Sequence, residues 1–483
     1  MFNDLKLDQS KPIYLQIKDY LRKLILAGIL QPGVRLPATR ELSNILKVSR
    51  NTIIQAYQYL EDDGFIVTEK GQGAFVAAVT MGKDPEQLQS PEVHWKITEY
   101  ARRSVELDIE KSELRWEKGM LSFKSIAPDP DLFEIEDFKR SFLNRLSIEG
   151  EKLLNYGYAR GYRNLIDYLT HYMKNKGVNP WHKEILITNG FTEGLNLIFS
   201  ALTVPGDRII TENPTHNTAL KIMKLFGLEV CGISMGDDGI DLRVLEAQLT
   251  ANPIKLGFLI PSYHNPTGLV MPPEKRMAVL KLFEKHQVPV IEDGFNEELR
   301  YSGSHVAPLL ALAGYGNGII YIGSFSKILF PGLRIGWIMA DANLIATFES
   351  VKRSMNIHTS FLDQAVLYEY LQSGQFEKYL KKARKVYRER HQIAVSLAKK
   401  YIPSQKIWGE GGLHIFIELK PGLNARKVLA ECYQQGVVFM PGDIFFTDQT
   451  GTNTFRLGIS RVTQEEMEEG FRIIGAVIKQ MMI

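Results

Sequence analysis

Apolar side chains between Pro12 and Leu30 fall at Ile13, Ile17, Leu21, Leu24 and Ile25, the spacing of a helix with one buried face. Pro32-Gly33 closes that run. The pattern predicts a short helix over Thr39 to Leu46, then a tight turn at Lys47-Val48. A second helix follows from about Arg50 to Asp62, with Ser49 as its N-cap and Gly64 as its stop. Phe65-Ile66-Val67 and Ala74-Phe75-Val76 read as short strands around a tip, Glu69-Lys70-Gly71-Gln72-Gly73.

After about residue 80 the pattern changes. Met81 to Pro91 is polar, carries Pro85 and Pro91, and reads as a linker. His94 to Trp116 is charged with scattered apolar positions and is predicted helical. From about Gly119, buried-strand runs alternate with amphipathic helical stretches. The runs are Ile185 to Ile187, Arg208 to Ile210, Leu256 to Ile260, Val288 to Ile291 and Ile319 to Ile322. Such alternation predicts an α/β unit, a mostly parallel sheet covered on both faces. Beyond Asn343 the chain is mainly helical and ends with strand-like Leu413 to Leu419 and Arg456 to Ile459, a smaller α+β lobe. The division is therefore multidomain: a helical unit with a hairpin over 1–79, a linker over 80–118, and an α/β unit over 119–483 with its small lobe from about 343.

Composition removes whole classes. The chain has 483 residues, 45% hydrophobic and 23% charged, which excludes a disordered chain, a collagen and a coiled coil. No run approaches the ~18 apolar residues of a membrane span. Met1 to Lys11 has no apolar h-region, so no secretory signal is read there. Two cysteines, Cys231 and Cys432, suit a reducing compartment, and the expected location is the cytoplasm. The net charge of +3 says little, and Met1 to Thr80 carries ten basic against eight acidic residues. Charge alone leaves a DNA reader and a protein-interaction module about equally open.

The second predicted helix opens Ser49-Arg50-Asn51-Thr52, a forked donor, an amide and two hydroxyls, the groups that read base edges or grip phosphates. Arg40 lies on the helix before it. The motifs Leu36-Pro37-Ala38-Thr39-Arg40-Glu41-Leu42, Val48-Ser49-Arg50-Asn51-Thr52, Ala56-Tyr57, Gly64-Phe65 and Gly71-Gln72-Gly73-Ala74-Phe75-Val76 resemble, in this order, the GntR winged helix-turn-helix. The resemblance spans about residues 10 to 78. It implies contacts to double-stranded operator DNA by Arg40, Ser49, Arg50, Asn51 and Thr52, with Gln72 and Gly73 on the wing. Ala38 stands where that family often has serine.

A second constellation lies in the α/β unit. Lys327, in Ser324-Phe325-Ser326-Lys327, follows a predicted buried strand, and Arg334 stands seven residues on. A lysine held there suits a Schiff base, and an arginine with a serine suits a phosphate. Asp293 ends another strand, where a carboxylate can keep a pyridine nitrogen protonated. Asn265, in His264-Asn265-Pro266-Thr267-Gly268, follows a third strand and can donate to a phenolate. Thr188-Asn189-Gly190-Phe191-Thr192 opens a helix whose first amides can bind phosphate.

Together these residues resemble the fold-type I aminotransferases over about Gly119 to Ile483. The resemblance implies pyridoxal 5′-phosphate as cofactor, with Lys327 forming its internal aldimine. It places Asp293 on the pyridine nitrogen and Asn265 on the ring O3′. Ser324, Arg334 and the amides around Gly190, Phe191 and Thr192 would hold the phosphate. Tyr156 would reach the phosphate of the partner subunit. Arg456 would grip an effector carboxylate, the alternative being a structural salt bridge. Two positions depart from the pattern. Phe295 replaces a tyrosine that donates to O3′, and His216 stands where an aromatic residue stacks on the pyridine. Stacking and surface packing are equally open for His216.

The combination resembles the layout of MocR transcriptional regulators. That implies a head-to-tail homodimer that binds operator DNA and senses a small amino compound, or the cofactor itself, through Lys327 and Arg456. The competing expectation is a working aminotransferase with an accessory DNA-binding domain, against which Phe295 leans. A cofactor-free scaffold is a third.

Overall fold

The computed structural model describes residues 5, 7–8, 11–69, 72–77, 95–109, 117–294, 296–301, 306–314, 316, 318–448 and 450–482. Two compact units divide the chain, Met1–Lys96 and Ile97–Ile483. Lys70, Gly71, Phe295 and most of the expected linker lie outside the described residues.

In the first unit, helices α1 (Ile13–Leu26), α2 (Thr39–Leu46) and α3 (Arg50–Asp62) are followed by strands β1 (Ile66–Glu69) and β2 (Gly73–Val76). Their apolar faces meet in one core built on Ile17, Leu21, Leu42, Ile53 and Leu60. Helix α1 stops at Leu26, short of the expected Leu30, because Gly28 adopts φ +69°. The amides of Ile29 and Leu30 then turn back onto Leu24 O, and Leu30 is buried. The Ser49 hydroxyl caps α3 by accepting from the Thr52 amide at 3.1 Å. Strands β1 and β2 pair antiparallel from Ile66↔Val76 to Glu69↔Gly73.

The second unit carries an eight-stranded sheet. Its order is Lys183–Thr188, Gly336–Asp341, Ile319–Ser324, Val290–Asp293, Ile254–Leu259, Arg208–Asn213, Glu229–Gly236 and Gly239–Ile240. All five expected strand runs fall within or against it. Four neighbouring pairs are parallel, from Ile319–Ser324 across to Glu229–Gly236. Gly336–Asp341 runs antiparallel to both of its neighbours. Consequently Thr188, Asn213, Leu259, Asp293 and Ser324 all end at one edge of the sheet.

A second core joins Ile415, Ile417, Phe455, Leu457 and Phe471 around a four-stranded sheet. The expected small-lobe start at about 343 needs revision. Helices Ala342–Asn356 and Phe361–Gln372 send Phe348, Leu367, Tyr370 and Leu371 into the large core. The 27-residue helix Gln375–Tyr401 serves both cores: Phe376 to Tyr387 pack in the first, Ala394 to Ala398 in the second. An early segment also joins the small lobe, since Leu121–Ser122 pairs with Val437–Val438 and Phe123 packs in its core. Part of the expected linker is a packed element as well. Helix α4 (Glu99–Ile109) sets Tyr100 edge-on against Phe226 at 5.8 Å and pairs Asp108 with Lys221.

Candidate functional site

The carboxyl edge of the large sheet gathers the residues singled out in sequence. Asp293 closes its strand and is 4% exposed. Burial raises its carboxyl above the usual carboxylate range, against the opposing pull of His216. Its Oδ2 has no hydrogen-bond partner among the described residues and lies 3.7 Å from His216 Nδ1. The His216 side chain is 14% exposed, and its ring sits 5.2 Å from that of Phe191, tilted by 38°. Surface packing is therefore excluded for His216, which lies beside the carboxylate.

Asn265 is fully buried. Its Oδ1 accepts from Arg456 Nη1 at 2.8 Å, while its Nδ2 has no partner among the described residues. Arg456 comes from strand Thr454–Gly458 in the small lobe. It also donates to Lys124 O at 3.3 Å and lies over the Phe445 ring at 4.9 Å. Burial pushes the guanidinium down to about 9, which leaves it charged at neutral pH. No carboxylate of the described residues lies within 4.0 Å of it, so the structural salt bridge is not made there. A buried cation with an unmet Nε calls for an anion from outside the chain.

Lys327 sits in the turn after Ile319–Ser324 and is half-buried. Burial first, then the charges of Arg456, Arg461 and Arg334, lower its amine to about 8. The consequence is a larger neutral, nucleophilic fraction at physiological pH.

Arg334 holds φ +52° and donates to Asn189 O at 2.9 Å and to Ser326 Oγ at 3.4 Å. Gly190, at φ +79°, is required for that approach, because a Cβ there would stand 2.8 Å from Arg334 Nη2. Helix Gly190–Leu202 begins with no side-chain cap, leaving the first-turn amides of Gly190, Phe191 and Thr192 for a ligand. Ser324 Oγ accepts from the Ser326 amide at 3.2 Å. Ser326 was missed in sequence, although its place between Ser324 and Lys327 was the available signal.

These groups fit pyridoxal phosphate. The Asp293 Oδ2 atom lacks a donor, the Asn265 Nδ2 lacks an acceptor, and Gly190 leaves the space beside Arg334 that a Cβ would fill. Tyr156 stands apart, 83% exposed, with its ring edge-on to His358 at 6.1 Å.

In the first unit Arg40, Ser49, Arg50, Asn51 and Gln72 are exposed. Arg50 Nε donates to Thr39 Oγ1 at 3.3 Å, which ties the start of α3 to α2. The hydroxyls of Ser49 and Thr52 bond each other at 2.8 Å, so both serve the helix start. Gly73, at φ +115°, admits Arg35, whose Nε would lie 3.0 Å from a Cβ there. Arg35 was not singled out in sequence. Its bridge to Phe75 places it beside the wing.

Residues 129–474 match the aminotransferase class I and II family, and residues 13–76 match the gntR family of bacterial regulatory proteins. The uncharacterised HTH-type transcriptional regulator YisV of Bacillus subtilis is 28% identical over 481 residues, covering 98% of this chain and 97% of its own. The probable rhizopine catabolism regulatory protein MocR of Rhizobium meliloti is 27% identical, covering 96% of this chain and 93% of its own. The chain belongs to the MocR-type transcriptional regulators. The second unit of this MocR-type regulator is also similar to LysN, the α-aminoadipate aminotransferase of Thermus thermophilus, solved complexed with N-(5′-phosphopyridoxyl)-L-leucine. That match has a TM-score of 0.73 at 29% identity and covers 80% of this chain and 98% of LysN. Among the described residues no helix is long and apolar enough to cross a membrane.

Proposed function

We propose that this MocR-type regulator binds pyridoxal 5′-phosphate at Lys327 and senses a small amino-carboxylate there, altering its grip on operator DNA in the cytoplasm. The observation that carries the reading is Arg456: a buried guanidinium with no carboxylate partner, bonded to Asn265, whose own Nδ2 is unmet. When bound, the cofactor supplies an electrophilic carbon that captures primary amines.

The chain's own residues do the rest. Asp293 would hold a proton at the ring nitrogen, and His216, beside it, would pack against the ring. Asn265 donates to the phenolate oxygen and at the same time fixes Arg456. Ser324, Arg334 and the amides of Gly190, Phe191 and Thr192 bind the phosphate. Lys327 delivers a neutral amine because burial and three arginines disfavour its ammonium form. Arg456, carried by the small lobe and bonded to Asn265 of the large one, binds the effector carboxylate, so the effector contacts both lobes. The effector regulates to the extent that it prefers one conformation over the other. The exposure of Tyr156 supports a head-to-tail homodimer in which it reaches the partner's phosphate.

Borohydride reduction of the chain loaded with pyridoxal phosphate, followed by peptide mapping, tests the first step. The label is expected on Lys327, and a label elsewhere, or none, overturns the reading. Because Lys327, Asp293, Asn265 and Arg456 are all present, turnover is the second reading. Half-transamination against an amino-acid panel separates the two: rapid loss of the aldehyde form favours an enzyme, and a long-lived adduct with altered operator affinity favours a sensor.

A further inference from the structure

A cavity of about 330 Å³ in the second unit has none of Lys327, Asp293, Asn265 or Arg456 in its lining. Its apolar walls come from three places. Leu107 belongs to α4, Leu220 to helix Asn217–Leu225, and Leu429, Phe439 and Met440 to the small-lobe side. The charged side chains in the lining are all cationic: Lys124, Lys221, Lys224 and Arg426. Lys221 faces Asp108, and Arg426 Nε lies 2.5 Å from Asp443 Oδ2. Lys224 has no carboxylate within 4.0 Å among the described residues. Asn217 and Thr218, in the first turn of their helix, also line the cavity, and that helix has no side-chain cap, so its amide dipoles add to the positive field.

An apolar chamber of this size is at the lower end of small-ligand pockets. The charged side chains of its lining are cationic, and although Asp108 and Asp443 meet two of them, Lys224 meets no carboxylate among the described residues, so the lining rewards an anionic head on an apolar body. The geometry points to a second ligand site, for a small amphipathic carboxylate, whose body lies among Leu107, Leu220 and Phe439 with its head toward the lysines. Such a ligand touches α4, the large lobe and the small lobe together. It therefore ties the helix nearest the connector to the lobe that carries Arg456. His216 stands at the N-terminal boundary of the same helix that supplies Leu220, which links this cavity to the cofactor-facing edge through one element.

The test uses the full chain, loaded with pyridoxal phosphate and reduced with borohydride, so that amines no longer add at Lys327, and Arg456→Ala separates carboxylate binding at the cofactor site from binding in the cavity. Titration with 8-anilinonaphthalene-1-sulfonate is expected to give saturable fluorescence that octanoate displaces and octylamine does not. Lys224→Glu, at an exposed position, is expected to weaken octanoate about fivefold. Leu107→Trp, which fills the chamber from a half-buried position, is expected to abolish displaceable binding. Absence of saturable binding, equal displacement by octylamine, or unchanged octanoate affinity in both variants overturns the proposal. Octanoate binding that disappears in Lys327→Ala or in Arg456→Ala also overturns it, because the ligand then belongs to the cofactor site. Octanoate binding that persists while no label forms on Lys327 counts against the cofactor reading alone.

Discussion

The two functional faces of this regulator solve opposite problems. The reader's side chains are exposed and already bonded among themselves, as Ser49 is to Thr52 and Arg50 to Thr39. The side chains of the proposed effector site are buried and leave atoms unmet, as at Asp293, Asn265 and Arg456. The difference follows from the ligand. A duplex stays hydrated and is gripped at its surface, so free-state bonds and water keep the reader satisfied until it docks. A small cofactor is engulfed, so its partners must be desolvated and positioned beforehand, and the cost appears as orphaned polar atoms and shifted proton affinities.

The sharpest way to break that contrast is the proton affinity of Lys327. Its amine is lowered from 10.5 to about 8, so protonation is disfavoured by the folded site and the neutral fraction rises as pH climbs toward 8. In the cofactor-free chain, capture of an aldehyde by Lys327 should rise about tenfold per pH unit below 8 and level off above it. At pH 7 the neutral fraction of Lys327 should be about 300-fold that of a lysine of ordinary affinity. A midpoint near 10.5 in the pH profile would mean that the site is not desolvated.

Arg456→Ala should cost effector affinity about 3 kcal/mol, roughly a hundredfold, because it removes the buried cation and unpins Asn265. Titrating the cofactor absorbance with amino acids measures this. Loss of less than about threefold would return Arg456 to a structural role.

The reader should respond more gently. Arg50→Ala is expected to weaken operator binding by ~1 to 3 kcal/mol and to relax sequence preference, as read by binding to selected and scrambled duplexes. Unchanged affinity and selectivity would remove Arg50 from the reading face. The smallest effect is expected at Ser49→Ala, which loses the α3 cap and should lower the unfolding free energy of the first unit by about 1 kcal/mol in denaturant titration. A large loss of DNA affinity at unchanged stability would show that the Ser49 hydroxyl serves the duplex more than the helix.

Much of this arrangement was legible along the chain. Helices α2 and α3 begin and end where their patterns predict, since local signals set both limits: Lys47 in a left-handed turn and Ser49 as a cap. The five buried runs became sheet strands because short β-rich stretches between helices have few other places to go. Gly336–Asp341 was not foreseen. It packs on both sides as an inner strand, and its apolar run follows a glycine-containing turn that reads as loop. The small-lobe boundary was misplaced for a related reason. Helical periodicity reports that a face is buried, without saying which core buries it, and Gln375–Tyr401 serves two. Arg35 and Ser326 escaped notice because neither stands out by type; their neighbours, Gly73 and Arg334, single them out.

Sequence by itself determined most of the elements, the presence of a DNA-reading unit and a cofactor-binding unit, and the residue types offered to each ligand, since these depend on short-range spacing and on chemistry carried within a few positions. Only the tertiary structure decided which of those groups are left without partners. Arg456 meets Asn265 across 191 positions, and His216 meets Asp293 from a different strand end. Burial and desolvation are properties of neighbours that folding brings together, and they turn an asparagine, an aspartate and an arginine into a site.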